Sequence, residues 1–413
     1  MEYKEYELGE LIEYRNEKLL IENVSLENYI STENLLPNRN GKQNAEKLPN
    51  TKSVKKYYEN DILISNIRPY FKKIWQAEIP GGASNDVLIL NSCSNNTTND
   101  YLYYYLSQDK FFDYMTQTAK GTKMPRGDKK AILGYEIKVP NIKHIQNYIV
   151  NLGKNIDKKI ETNKKIIANL EELSQTLFKR WFVDFEFPDE NGNPYKSSGG
   201  EMVDSELGEI PKRWTVKNLD DIANYVNGLA MQKFKPTDNQ NSLPVVKIKE
   251  LKNGSTDENS NRCNSEIPEK ALIVDGDIIF SWSATLLVKM WCGGKAGLNQ
   301  HLFKVSSDNY PKWFYYYWTK RYIDYFIGIA NDKATTMGHI NRKHLSHAKI
   351  LIPNDQTLER FSRTFDDLLE KELSVSKESK RLTELRDTLL PKLMSGEIEI
   401  PDDIEVNENE LSI

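Results

Sequence analysis

The alternation of apolar and polar residues along the chain predicts the same series of elements twice. Period-two apolar runs at 61–65, 85–90 and 135–140 read as strands. Each is followed about 213 residues later by a similar run. Asp61-Ile62-Leu63-Ile64-Ser65 is matched by Asp277-Ile278-Ile279-Phe280-Ser281, and Val87-Leu88 by Leu302-Phe303. Tyr103-Tyr104-Tyr105 is matched by Tyr315-Tyr316-Tyr317, in aromatic helices expected over 100–117, capped by Asn99, and over 312–329, with Pro311 at the first helical position. Thr122, Met124, Lys130, Ile137 and Pro140 answer Thr335, Met337, Lys343, Ile350 and Pro353, all at an offset of 213. An offset this steady marks an internal duplication.

After each mixed domain the period changes. Ile145, Ile149, Leu152, Ile156, Lys159, Asn163, Ile166, Leu170, Leu173 and Leu177 step by four and three. So do Leu358, Phe361, Phe365, Leu368, Glu372, Val375, Ser379, Leu382, Leu385 and Leu389. Each run predicts a helix of roughly 38 residues, about 57 Å long. An apolar stripe of that length has to be buried against a partner, and the other copy is the nearest candidate. The expected fold class is therefore α+β: two tandem mixed α/β domains related by a pseudo-twofold axis and separated by an antiparallel coiled coil of two long helices. The expected boundaries are 1–140 (first domain), 141–183 (first long helix), 184–210 (acidic linker), 211–353 (second domain), 354–394 (second long helix) and 395–413 (acidic tail).

Charge sharpens this picture. The chain of 413 residues carries a formal net charge of −4. Residues 184–210 and 395–413 each carry −7, so the remainder carries +10. A basic body with two acidic segments, both expected to be poorly structured, is compatible with nucleic-acid binding. Three scattered cysteines and a charged N-terminus point to a reducing cytoplasm, and no apolar run is long enough for a membrane span.

Catalytic signatures are absent. There is no Walker loop, and Asn193-Pro194-Tyr195 falls short of a base-methylation motif. Glu136-Ile137-Lys138 reads as a strand rather than a nuclease centre. His339, His344 and His347 sit among Arg342, Lys343 and Lys349, which would repel a metal ion. What remains is a binding surface. KGTKMPRGDKK (120–130) and KATTMGHINRK (333–343) both follow the aromatic helix and precede the last strand. They offer Lys120, Lys123, Arg126 and Lys129 in one copy, and Lys333, Thr335, Thr336, His339, Asn341, Arg342 and Lys343 in the other. Such side chains reach phosphates and base edges. Arg68, Lys72 and Lys73, with Trp282 in the second copy, occupy matching loops after the 61–65 and 277–281 strands. Lys233 and Lys235 lie in a further loop.

The strings LFKRWFVDFEFP (177–188), SELGEIPKRW (205–214), TTMGHINRKHL (335–345) and LRDTLLPKLMSGEI (385–398) resemble the specificity subunit of type I restriction-modification systems, over nearly the whole chain. The resemblance implies two target-recognition domains, each reading one part of a split double-stranded DNA site, and a subunit without catalysis of its own. It implies docking of two modification (methyltransferase) subunits and two motor-nuclease subunits. Leu177, Phe178, Trp181, Phe182, Leu389, Leu390 and Leu393 are the expected partner-binding residues. S-adenosylmethionine, ATP and Mg would belong to those partners, with no cofactor in this chain. The alternative is a stand-alone two-domain DNA-binding regulator or decoy on the same scaffold.

Overall fold

A computed structural model describes residues 2–236, 241–332, 340–401 and 404. The chain folds as two compact units, one formed by residues 1–160 with 382–413 and the other by residues 161–381. Each long helix is thus shared between units.

In the first unit, a four-stranded antiparallel sheet has the order Ile12–Tyr14, Val87–Ser92, Ile62–Ser65, Ile74–Gln76. The second unit repeats it as Asn224–Asn227, Leu302–Ser306, Ile278–Ser281, Leu287–Met290. The central strands are apolar on both faces and fully buried, as continuous runs such as Ile62-Leu63-Ile64 require. A two-stranded ribbon closes each domain, Tyr3–Glu7 with Glu136–Pro140 and Thr215–Asn218 with Lys349–Ile352.

The second sheet is only partly repeated. Gly81–Ala83 runs parallel to Tyr29–Ile30 and antiparallel to Ser53–Tyr57. Its equivalent, Ala296–Leu298, runs parallel to Ser242–Val246 and antiparallel to Leu272–Ile273. The fourth strand is then added to opposite edges. Lys18–Leu20 joins the antiparallel neighbour in the first domain, and Arg262–Asn264 joins the parallel neighbour in the second.

The aromatic segments are each two helices rather than one. Asn99–Leu106 is followed by Asp109–Gln117, and Lys312–Arg321 by Ile323–Asp332. The first is capped not by Asn99 but by Thr98, whose hydroxyl accepts the Tyr101 N–H at 3.2 Å, and Pro311 is an N-cap rather than the first helical residue. Trp313 stacks on Phe365 with ring centres 4.5 Å apart, inside the core of the second unit.

The long helices are Lys143–Phe182 and Asp355–Ser395. In the second unit they run antiparallel: Asn163 donates to Glu378 at 2.9 Å, and Phe178 and Trp181 meet Phe365 and Phe361. In the first unit Arg386 donates to Asp157 at 2.7 Å, and Asp157 also accepts the Tyr104 hydroxyl at 2.9 Å. Gly153 is required there, because a Cβ would stand 2.7 Å from the Tyr104 ring.

Two expectations need correction. Leu173 and Leu385, placed in the seam by stepping in threes and fours, are exposed (52% and 44%), and Ser174 and Arg386 face inward in their place. The segment 184–210 is not poorly structured. Phe187 stacks on Tyr195 and Trp214, Met202–Ser205 pairs with Gly208–Pro211, and Arg360 donates to the Pro188 carbonyl at 2.6 Å. Burying several aromatic rings, at about 1.5–3 kcal/mol each, outweighs the self-repulsion of solvated acids.

Candidate nucleic-acid interface

In each domain the loop after the central strand meets the residues that lead into the last short helix, and equivalent backbone devices build this junction. The first loop leaves a buried serine. Ser65 donates its hydroxyl to the Ile67 carbonyl at 3.0 Å, and Ser281 donates to the Ser283 carbonyl at 3.3 Å. One residue further on, Arg68 and Ala284 both adopt left-handed backbone conformations, with φ of 51° and 56°. Neither is glycine, so the conformation is unfavourable for both and is imposed by what surrounds it.

The second loop supplies part of that restraint. The Gly127 N–H donates to the Asn66 carbonyl at 3.0 Å, and the Ile340 N–H donates to the Trp282 carbonyl at 3.1 Å. In the first domain the Arg68 N–H also donates to Pro125 at 2.8 Å, and Lys120 and Arg126 exchange backbone bonds at 2.8 and 2.9 Å. Gly127 admits no side chain, since a Cβ would lie 2.7 Å from the Asn66 amide oxygen. In the second domain Trp282 and Ile340 replace Asn66 and Gly127, a polar and an empty position becoming two apolar ones. A short helix then follows, Lys129–Leu133 or Arg342–Ser346.

Asp128 caps the first short helix by accepting the Lys130 N–H at 3.0 Å, and Asn341 is the N-cap of the second. The backbone N–H of Asn341 donates to His344 Nδ1 at 3.2 Å. The basic residue after each cap lies against an equivalent tyrosine. The Lys129 ammonium is 5.9 Å from the Tyr14 ring, and Arg342 donates to the Tyr225 carbonyl at 3.0 Å.

Arg68, Lys123, Lys129 and Lys343 are exposed on this face. Lys120 pairs with Asp128 at 2.6 Å while its side chain is 79% exposed, and Arg126 pairs with Asp86 at 3.3 Å. An exposed pair like that of Lys120, with its freely rotating ammonium, contributes about 0–1 kcal/mol, so a phosphate can replace Asp128 there at little cost. Lys233 and Lys235 are exposed as well, in the loop beside Met231–Lys233. Trp282 is half-buried, its ring 5.9 Å from His301 and 5.8 Å from Phe303.

Lys72 and Lys73 do not join this surface. Lys72 is drawn to Asp109 at 2.7 Å. Lys73 donates to the Thr32 carbonyl at 2.5 Å, and burial lowers its pKa. Both tie the loop to the domain. Of the expected partner-binding residues, Phe178, Trp181 and Phe182 are buried in the core of the second unit, and Leu390 and Leu393 in that of the first. Leu177 and Leu389 are half-buried. Lys333, Thr335, Thr336 and His339 lie outside the described residues.

Asp86 and His301 were missed by sequence reasoning. They occupy equivalent places at an offset of 215, directly before the matched Val87 and Leu302, in turns closed by Val87 N–H to Ser84 (3.2 Å) and Leu302 N–H to Asn299 (3.0 Å). Behind Asp86, Lys55 is buried and donates to the carbonyls of Asn85 at 3.0 Å and Val87 at 2.7 Å. Burial first, then the charges of Lys129 and Lys18, push its pKa down to about 8. Among the described residues there is no cluster of three metal-ligating side chains and no helix long and apolar enough to cross a membrane.

This is a duplicated two-domain architecture built on equivalent sheets. The chain belongs to the type I restriction-modification DNA specificity family, whose domain model matches residues 1–172 and again 211–384. It is 28% identical to the type I restriction enzyme MjaIX specificity subunit of Methanocaldococcus jannaschii, over 73% of this chain and 69% of that one. It is 24% identical to the HindI specificity subunit of Haemophilus influenzae, over 96% of this chain and all of that one. The fold is that of the type I S subunit from M. genitalium, with a TM-score of 0.54 at 16% identity and 97% of both chains covered.

Proposed function

We propose that the chain is the DNA-reading, non-catalytic subunit of a type I restriction-modification complex, reading a bipartite, asymmetric target. The observation that carries this is the duplicated loop pair: the backbone bonds recur, while the displayed side chains differ at nearly every position. Arg68, Lys123, Arg126 and Lys129 contact DNA in the first domain, and Trp282, Arg342 and Lys343 in the second, with Lys120, Lys233 and Lys235 on phosphates. Lys333, Thr335, Thr336 and His339 belong to the same surface by sequence position. Asn341 serves as a helix cap and so acts by shaping the loop.

Two modification subunits dock on the chain and bring S-adenosylmethionine. Two motor-nuclease subunits bring ATP and Mg. The assembly works in the cytoplasm. Exposed Leu173 and Leu385, at equivalent positions of the two long helices, are better placed for docking than the buried residues singled out by sequence. Reconstitution tests the reading. The chain alone and the modification subunit alone should each fail to methylate adenine at defined sites, and the two together should succeed. Turnover of S-adenosylmethionine by the pure chain would overturn it.

A further inference from the structure

The junction of the two loops in the first domain is anchored from behind. Lys55 binds the carbonyls on both sides of Asp86. The Asp86 carbonyl accepts the N–H of Asn66 at 2.8 Å, and the Asn66 carbonyl accepts the N–H of Gly127. The Asp86 carboxylate meets Arg126 Nη2 at 3.3 Å. Asp86 therefore touches both loops, by its backbone and by its side chain, from a turn fixed by a buried ammonium. Arg126 itself is held at its backbone by two bonds to Lys120, yet its side chain remains 55% exposed. Among the described residues its guanidinium is paired through Nη2, and more than half of the side chain stays open to solvent.

We propose that Asp86 is a positioning residue for base recognition, holding the Arg126 guanidinium in the orientation that reads a guanine edge in one half-site. This rests on the DNA-reading function proposed above. A guanidinium placed edge-on pairs with both O6 and N7 of guanine, a geometry no other base offers. Arginine is long and flexible, so a free Arg126 spreads over phosphates as well as bases. A carboxylate on a rigid turn limits that spread. Among the described residues the second domain has no such device: Lys55 is replaced by Ala271, Asp86 by His301, and His301 lies beside the Trp282 ring. The guanine reading is thus assigned to the first domain alone.

The test uses the full chain assembled with its modification subunits. The methylated motif of the wild-type complex is determined first, and absence of a split motif would defeat the functional reading rather than this inference. Arg126→Ala should then abolish the preference for guanine at one position of one half-site. Asp86→Ala and the isosteric Asp86→Asn should relax discrimination at that same position by about tenfold, within the range of one bidentate base contact. Binding to random DNA should be unchanged or tighter, because a negative charge has gone. Asp86→Glu should recover most of the selectivity, and the other half-site should be untouched in every variant. If Asp86→Asn folds and keeps the wild-type motif, or if Asp86→Ala weakens all sequences equally, Asp86 has only a structural part. If Arg126→Ala leaves the motif intact, Arg126 is not the reader. Either result overturns the proposal.

Discussion

The two domains agree where the backbone turns and differ where side chains face outward. Both leave the central strand through a buried serine, both place a non-glycine residue in the left-handed region at the equivalent position, and both close the loop with the same N–H to carbonyl bond. The side chains around that junction are Asn66, Arg68, Asp86 and Arg126 in the first domain. In the second they are Trp282, Ala284 and His301, with His339 the sequence equivalent of Arg126. One junction is charged and the other aromatic. Even the edge of the second sheet is extended on opposite sides. Scaffold and readout are therefore separable: the first is constrained by backbone bonds and a repeated serine hydroxyl, and the second is free to change.

The sharpest way to break this comparison is through the aspartates at the start of the equivalent strands. Both accept a backbone N–H three residues upstream, from Tyr58 to Asp61 and from Val274 to Asp277. Their basic partners come from different places in the repeat: Arg15 directly follows Ile12–Tyr14, and Lys304 lies within Leu302–Ser306. Arg15 donates Nε to both carboxylate oxygens of the fully buried Asp61, at 3.0 and 2.7 Å. Lys304 meets the more accessible Asp277 at 2.9 Å. Asp61→Ala should lower the stability of the first unit by about 3–5 kcal/mol, since it strands a half-buried guanidinium. Asp277→Ala should cost the second unit less, because the flexible ammonium reaches water. Denaturant melting of both variants checks the order, and equal losses would contradict it.

A smaller difference lies in the long helices. Glu372 is buried in the seam, where the equivalent position of the first helix is Ile160. Burial, with a further contribution from Glu171, pushes its pKa up to about 7 against an ordinary 4.5, and Lys320 opposes this. The folded form therefore binds the proton more tightly than the unfolded chain. The second unit should lose stability as pH rises from about 4.5 to about 7, by a few kcal/mol at most, and show no further loss from this group above that. Glu372→Gln should flatten the profile over that window. A profile unchanged by the substitution would show that Glu372 is hydrated in solution.

The smallest effect sharpens the likeness rather than the difference. Ser65→Ala and Ser281→Ala each remove one hydroxyl donor from an equivalent loop and should each cost about 1 kcal/mol. Similar losses in thermal melts would show that the two loops rely on the same bond. A loss in one domain only would mean that the shared geometry is held elsewhere in the other.

Much of the frame was legible in the sequence because strand pattern and offset survive in the residues themselves. The Asp61/Asp277 and Val87/Leu302 pairs align strands that do occupy equivalent places. Helix phase was harder. Stepping in threes and fours follows a seven-residue repeat, but from Asn163 to Ser174 and from Val375 to Arg386 the inward face advances eleven residues over three turns, as a straighter helix does. Leu173 and Leu385 fit the shorter period and so were assigned to the wrong face. The order in 184–210 was signalled by Phe185, Phe187 and Tyr195, which the surrounding acids and glycines masked. For the site, composition found the basic loops but did not separate Lys72 and Lys73 from Arg68, because the carboxylate and carbonyl that claim them lie far away in sequence. Asp86 carries no signal of a DNA contact in the sequence, because its charge opposes a phosphate.

The central claim is that one scaffold, used twice, reads two different sequences. Methylome sequencing of a host that carries this chain with its modification subunits, compared with the same host lacking the chain, tests it most directly. The account predicts chain-dependent adenine methylation at a motif of two unlike parts separated by a fixed unread spacer. A continuous palindrome, or two identical half-sites, would contradict it.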